Sequence, residues 1–157
     1  MSEPAAPASH PPPDAIVLGF DVGTRRIGVA VGSALGGARA VAMVDVHAGG
    51  PDWQAIDRLH AEWRPRGLGV GDPMTLDGGD QPIRRRARAF ARELRARYGR
   101  PGGMVDERAS SIEAAQRFAR ERAAGSRRRR DAEVLDAVAA ALIIERWLEA
   151  PEDATPA

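Results

Sequence analysis

Residues 16–23, "IVLGFDVG", form an almost unbroken apolar run. A strand of that composition belongs at the centre of a sheet with a layer packed on each face, because neither face carries the polar residues that water requires. One residue breaks the pattern: Asp21 sits near the end of the run. After "GTR", residues 26–33 alternate Ile27, Val29 and Val31 with Gly28, Ala30 and Gly32, which gives one bulky face and one flat face. The short break between the runs predicts a hairpin. A third strand over Ala38–Val46, after the "ALGG" turn, completes an antiparallel meander.

The pattern then changes period. "PDWQAIDRLHAEW" places Trp53, Ile56, Leu59 and Trp63 at helical spacing, "GLGVGD" reads as a short strand, and "PMTLDGGD" reads as a loop. A helix over Gln81–Tyr98 carries Ile83, Ala87, Phe90, Leu94 and Tyr98 on one stripe, with Arg84, Arg88, Arg92 and Arg95 expected to face away. "GGMVDE" is a further strand. Ser110 and Glu113 stand in capping-box spacing and open another helix. "AAGSRRRR" is a basic break, and a last helix is expected from Asp131, its N-cap, to Leu148. The order βββαβαβαα implies an α/β fold, a five-stranded mixed sheet with helices on both faces.

A length of 157 residues fits one domain, expected over 15–149. The Pro- and Ala-rich ends, 1–14 and 150–157, read as disordered tails. No apolar run approaches the roughly 20 residues of a membrane helix, and the N-terminus lacks the charged start and apolar core of a signal peptide. The chain has no cysteine, which excludes disulfides, thiolate metal sites and thiol nucleophiles, and fits a cytoplasmic location. All 23 basic residues are arginine; genome bias explains most of that choice. Their clustering in "RRRARAFARELRARYGR" and "RRRR" is more informative.

Most of the 22 acids suit solvated surfaces. Three do not. Asp21 ends the most apolar strand, Glu107 ends "GGMVDE", and Asp136 lies on or beside the apolar face of the last helix. Carboxylates near a core are costly unless paired or metal-bound. With the first strand central, it and the two later strands run parallel, so Asp21, Asp72 and Glu107 emerge at one sheet edge, where a helix packed across it can deliver Asp136. Carboxylate oxygens without Cys or His suit Mg²⁺ or Mn²⁺, and such sites handle phosphates. Each acid also has a plain alternative. Asp21 can cap a turn, Glu107 can pair with Arg108 or Arg26, and Asp136 can be a helix-face acid near Arg129 or Arg130. Taken jointly, their placement favours the metal site. The three histidines, His10, His47 and His60, have no partner at metal spacing and read as structural or solvated.

"FDVGTRRIGVAVG", "VDERASS" and "RRRRDAEVLDAVAAALIIERWLE" together resemble the YqgF family, also called RuvX, the pre-16S rRNA nucleases. The likeness spans about Ile16 to Leu148, and the order and spacing of the three motifs are specific. The resemblance implies an RNase H-like fold related to RuvC resolvases. It also implies a divalent-metal nuclease that finishes the end of the small-subunit ribosomal RNA, with Asp21, Glu107 and Asp136 as its catalytic and metal-binding acids. Gly71-Asp72-Pro73 stands where the family commonly has Gly-Leu-Pro. Asp72 is therefore a fourth ligand, an outer acceptor or, by preference, a turn cap. Ser110 and Ser111 stand where Thr is usual, which keeps the hydroxyl. Arg replaces the family's usual Lys in the first motif and the basic break.

The mechanism expected is hydrolysis of a phosphodiester by metal-activated water. Gly23, Thr24, Arg25 and Arg26 would contact phosphate, joined by Arg108, Arg129 and Arg130. For the long arginine helix a solvated face is slightly preferred over substrate binding. Aromatic residues make up 4%, too few for base stacking to dominate. The partner expected is nucleic acid, pre-rRNA first, with no membrane, and the protein a monomer or weak dimer. Three alternatives stand. Asp-x-Gly-Thr also opens the phosphate loop of the actin, Hsp70 and sugar-kinase group, but those need two lobes. A Holliday-junction resolvase shares the chemistry and would need a two-fold dimer. A non-catalytic nucleic-acid-binding or transcription factor could keep the fold, but it should lack one of the three acids.

Overall fold

The computed structural model of the chain describes residues 14–73, 82–99, 102–106, 135–151 and 154–155. Strands β1 (Val17–Val22), β2 (Arg26–Ser33) and β3 (Gly37–His47) form the expected meander. Beyond them come β4 (Gly50–Pro51), α1 (Trp53–Trp63), β5 (Gly67–Asp72), α2 (Pro82–Tyr98), β6 (Gly102–Asp106) and α3 (Leu135–Glu149). The sheet order is β4-β3-β2-β1-β5-β6. β1 is central, paired antiparallel with β2 and parallel with β5, and β5 is parallel with β6. The sheet thus has six strands rather than five. Gly50, at φ 113°, folds the chain back so that Gly50 and Pro51 pair with His47 and Val46. Two residues carry no readable period, so β4 is invisible in the sequence. The helix expected from Ser110 and the "PMTLDGGD" loop after Pro73 lie outside the described residues, as does the N-cap expected at Asp131.

Strand alternation decides which layer packs where. Leu18, Phe20 and Val22 of β1, with Ile27, Val29 and Val31 of β2, face α1 and α2 and make the larger core with Ile56, Phe90 and Leu94. Each fully buried side chain of this size contributes about 1.5–3 kcal/mol relative to exposure. The opposite, flat face receives α3, where Val17 and Ala30 meet Ala140, Ile143, Ile144 and Trp147. Two glycines let the helix lie close. A Cβ on Gly19 would stand 2.6 Å from Ile144 Cγ1, and one on Gly69 would stand 2.8 Å from the Trp147 ring.

α1 starts at Asp52, whose side chain accepts from the Ala55 amide at 3.3 Å, and stops at Arg64 in the left-handed conformation (φ 46°). On α2, Ala87, Phe90, Ala91 and Leu94 are buried as their spacing predicts. The arginines do not all turn outward. Arg92 and Arg95 are exposed, but Arg84 and Arg88 are half-buried. The reason is helical periodicity. Arg84 precedes Ala87 by three residues and Ala91 by seven, so it lies on the buried stripe itself. The segment after α3, expected as a disordered tail, returns to the sheet. The Met104 amide donates to Thr155 O at 2.6 Å, and the Thr155 amide donates to Met104 O at 2.9 Å.

Candidate nucleic-acid and metal site

The parallel arrangement of β1, β5 and β6 gathers their C-terminal ends at one edge, with Asp72 and Asp106 in register on neighbouring strands. Asp21 lies at that edge, half-buried in a strand whose other residues are all buried, and sits opposite Gly28. Its parity with Val17 and Gly19 puts it on the α3 face.

The direction of α3 follows from its neighbours. Gly19 lies against Ala140 and Ile144. Glu145, Leu148 and Glu149 border a small cavity with Ser33, Ala34, Gly37 and Ala38, at the far end of the β2–β3 hairpin. The helix therefore runs antiparallel to β1, with its first turn toward the Asp21 edge. Asp136 occupies the position one turn, about 6 Å, before Ala140. Asp21 lies two residues, about 6.6 Å, beyond Gly19 in the same direction. The backbone thus brings the two positions to the same level. Glu107, Arg108, Arg129 and Arg130 lie outside the described residues. Among the described residues, no three His, Cys, Asp or Glu side chains are close enough to hold a metal. The donors that the edge offers are carboxylate oxygens, which fit a hard divalent cation and not a soft one.

The turn after Asp21 is tight. The Gly23 amide donates to Arg26 O at 2.9 Å, the Val46 amide donates to Arg25 O at 2.8 Å, and a Cβ on Gly23 would meet Arg26 O at 2.7 Å. The Gly23 amide, expected to contact phosphate, is committed to closing the turn. Thr24 and Arg25 are exposed at its tip, and Arg26 is half-buried opposite Asp45.

Asp72 is held in an ion pair. It faces α2, on the other side of the sheet from Asp21, and is 4% exposed. Arg84 Nε donates to its Oδ1 at 2.7 Å, and Arg84 Nη2 donates to its Oδ2 at 3.2 Å. The acid that departs from the family pattern is thus joined to Arg84, for which the sequence predicts a solvent-facing side chain. The available signal was that Arg84 falls on the buried stripe of α2.

Two features were not anticipated. A cavity of about 570 Å³ opens beside the β1–β2 turn on the α2 face, bordered by Val22, Thr24, His47, Arg86 and Phe90 among others. Between α1 and α2, Tyr98 donates to Asp57, as does Arg97 at 3.2 Å, and Arg97 lies 4.6 Å over the Trp53 ring. His60 stacks on Tyr98 with centroids 4.1 Å apart, which gives this histidine a structural role. Burial, together with the bond to Asp57, pushes the Tyr98 phenol up to about 12. The Tyr98 bond in turn lowers Asp57. Among the described residues, no helix is long and apolar enough to cross a membrane.

A family model described as "RuvX: Holliday junction resolvase" matches residues 15–150. A relative from Xanthomonas campestris pv. campestris (strain B100), named as a pre-16S rRNA nuclease, is 73% identical over 144 residues, covering 91% of this chain and 93% of its own. Another of the same name, from Xanthomonas axonopodis pv. citri (strain 306), is 72% identical over the same coverage. Among solved structures, Thermus thermophilus RuvC superposes with a TM-score of 0.51 at 18% identity, over 90% of this chain and 99% of that one. The same organism's RuvC in complex with a Holliday junction substrate gives 0.50 at 19% identity, over 86% of this chain and 95% of that one. At such identity the likeness is one of fold: an α/β architecture with a RuvC-like mixed sheet. With the model matched from end to end of the folded region and relatives above 70% identity, the chain belongs to the RuvX family.

Proposed function

We propose that this protein is a divalent-metal-dependent nuclease that hydrolyses phosphodiester bonds in maturation of the pre-16S rRNA 5′ end, in the cytoplasm. The observation that carries the proposal is the half-buried carboxylate of Asp21, ending a buried central strand at the level of Asp136 on α3. Glu107 is the next residue in the sequence after β6. Relatives above 70% identity carry the pre-16S rRNA nuclease name, which supports the substrate.

Asp21, Glu107 and Asp136 would hold Mg²⁺ or Mn²⁺. Such an ion polarises the phosphoryl group and supplies a nucleophile at neutral pH. The protein's part is to position. Asp21 is fixed by a strand buried on both sides, and glycines at 19 and 69 set the approach of α3. Thr24 and Arg25, exposed at the turn tip, contact the phosphate, together with Arg26, Arg108, Arg129 and Arg130. Arginine suits this task because its planar fork binds phosphate oxygens in pairs.

Cleavage of labelled single-stranded RNA, duplex DNA and four-way DNA junctions, with Mn²⁺ or Mg²⁺, tests the reading. RNA cutting by the wild type is expected, with a loss of at least about a hundredfold in Asp21→Asn. Cutting of junctions alone would transfer the assignment to a resolvase, the reading favoured by the family description and the RuvC-like fold. Nucleic-acid binding without any cutting would leave a non-catalytic factor.

A further inference from the structure

The 570 Å³ cavity lies within the range of small-molecule sites, roughly 300–1,000 Å³, and of its lining the phosphate contacts above use Thr24 alone. Val22, Ile27 and Phe90 form apolar walls, at 8%, 0% and 4% exposure. Polar groups join them from three separate segments: Thr24 from the β1–β2 turn, His47 from the end of β3, and Arg86 and Glu93 from α2. Arg86 and Glu93 are seven residues apart, two turns or about 10 Å along the helix. Ala89 lies between them, so the wall is recessed where a larger side chain would fill it.

We propose that this cavity holds one unpaired nucleobase of the substrate, next to the phosphate engaged at Asp21. These apolar residues form the lining on which an aromatic ring would rest. The Glu93 carboxylate accepts from an exocyclic amino group, and His47 supplies a further hydrogen bond at the ring edge. The location argues for a base rather than a free small molecule. The cavity is lined by Val22, Gly23 and Thr24, which directly follow Asp21 in the chain. Asp21 is on the α3 face and the cavity on the α2 face, so a strand with its phosphate at the edge must turn a base across the hairpin tip. A base in a continuous duplex cannot do this without leaving its stack. The substrate class is therefore a strand with at least one unpaired nucleotide beside the cut. This inference rests on the nuclease reading and narrows it.

The test walks a single abasic nucleotide along a cleaved RNA, using wild type and Ala89→Phe. The expected result is one position, adjacent to the cut, where loss of the base lowers kcat/KM about tenfold. Ala89→Phe should lower cleavage of intact RNA by a similar factor and be insensitive to the abasic substitution at that position. In parallel, a fluorescent purine analogue at the same position is bound to Asp21→Asn, where no cutting is needed, and should be shielded from a dissolved quencher. Should Ala89→Phe fail to fold, Glu93→Gln replaces it, expected to change the preference among bases at that one position. Cleavage with a flat abasic scan, or an unshielded analogue in the bound complex, overturns the pocket and leaves the nuclease standing. A shielded analogue with no cleavage by the wild type keeps the pocket and overturns the nuclease.

Discussion

Tyr98 shows how far one side chain can be shifted by its surroundings. It is half-buried between α1 and α2, its hydroxyl donates to Asp57, and its ring carries His60. Burial first, and the Asp57 bond next, raise its pKa from 10.0 to about 12. In the unfolded chain the phenol ionises near pH 10, whereas the folded protein keeps the proton. The stability this confers is complete below about pH 10 and disappears as pH rises through about 12. Asp57 acts in the other direction: its lowered pKa gives stability above the ordinary aspartate range, lost as the protein is acidified. Tyr98 is the only tyrosine in the chain, so phenolate absorbance follows this group alone. The expected titration midpoint is near 12, and Tyr98→Phe should flatten the fall in melting temperature between pH 10 and 12. A midpoint near 10 would show that the clasp between the helices does not form in solution.

At the scale of elements, the Asp72–Arg84 pair ties α2 to the end of β5. Both partners are largely withdrawn from water, with side-chain exposures of 5% and 17%, and the contact is bidentate. Removing one charge leaves the other buried and uncompensated, a loss of about 3–5 kcal/mol for a fully buried pair. Arg84 keeps some exposure, so Asp72→Asn is expected at the lower end, about 3 kcal/mol by denaturant unfolding. The double replacement Asp72→Leu with Arg84→Met should recover most of that, because apolar side chains of similar volume lose no solvation. If the double variant were as unstable as the sum of the singles, the pair would not be the coupling between β5 and α2. A leucine at this position would meet the apolar stripe of α2 without a charge, whereas this chain matches an acid on the strand with an arginine on the helix.

Over the whole molecule, local patterns were legible and distant pairings were not. The hairpin, the flat face of β2 and the buried stripe of α2 are periods of two and 3.6 residues, and each stands as read. Asp21 was legible because a carboxylate interrupting a buried strand is costly at any sequence position. Arg84 with Asp72, Thr155 on Met104 and the cavity beside Thr24 each join segments that share no period, so the pattern alone could not reveal them. The arginines raise the same problem, since composition counts them all alike. Arg97 is already spent on Asp57 and Trp53, and Arg84 on Asp72. Arg92 and Arg95 are exposed on α2 and line no part of the cavity. Arg129 and Arg130 stand six and five residues before Leu135, the first described residue of the helix that carries Asp136. A phosphate contact at those two should therefore dominate the salt dependence. Each contact to a single strand contributes about 0.7 to the slope of log K against log salt. Arg129→Ala with Arg130→Ala is expected to reduce that slope by about 1.4 for single-stranded RNA, whereas Arg92→Gln with Arg95→Gln should leave it almost unchanged. Binding titrations across a salt series decide between them. The reverse ranking would move the backbone-binding surface onto α2, away from the Asp21 edge.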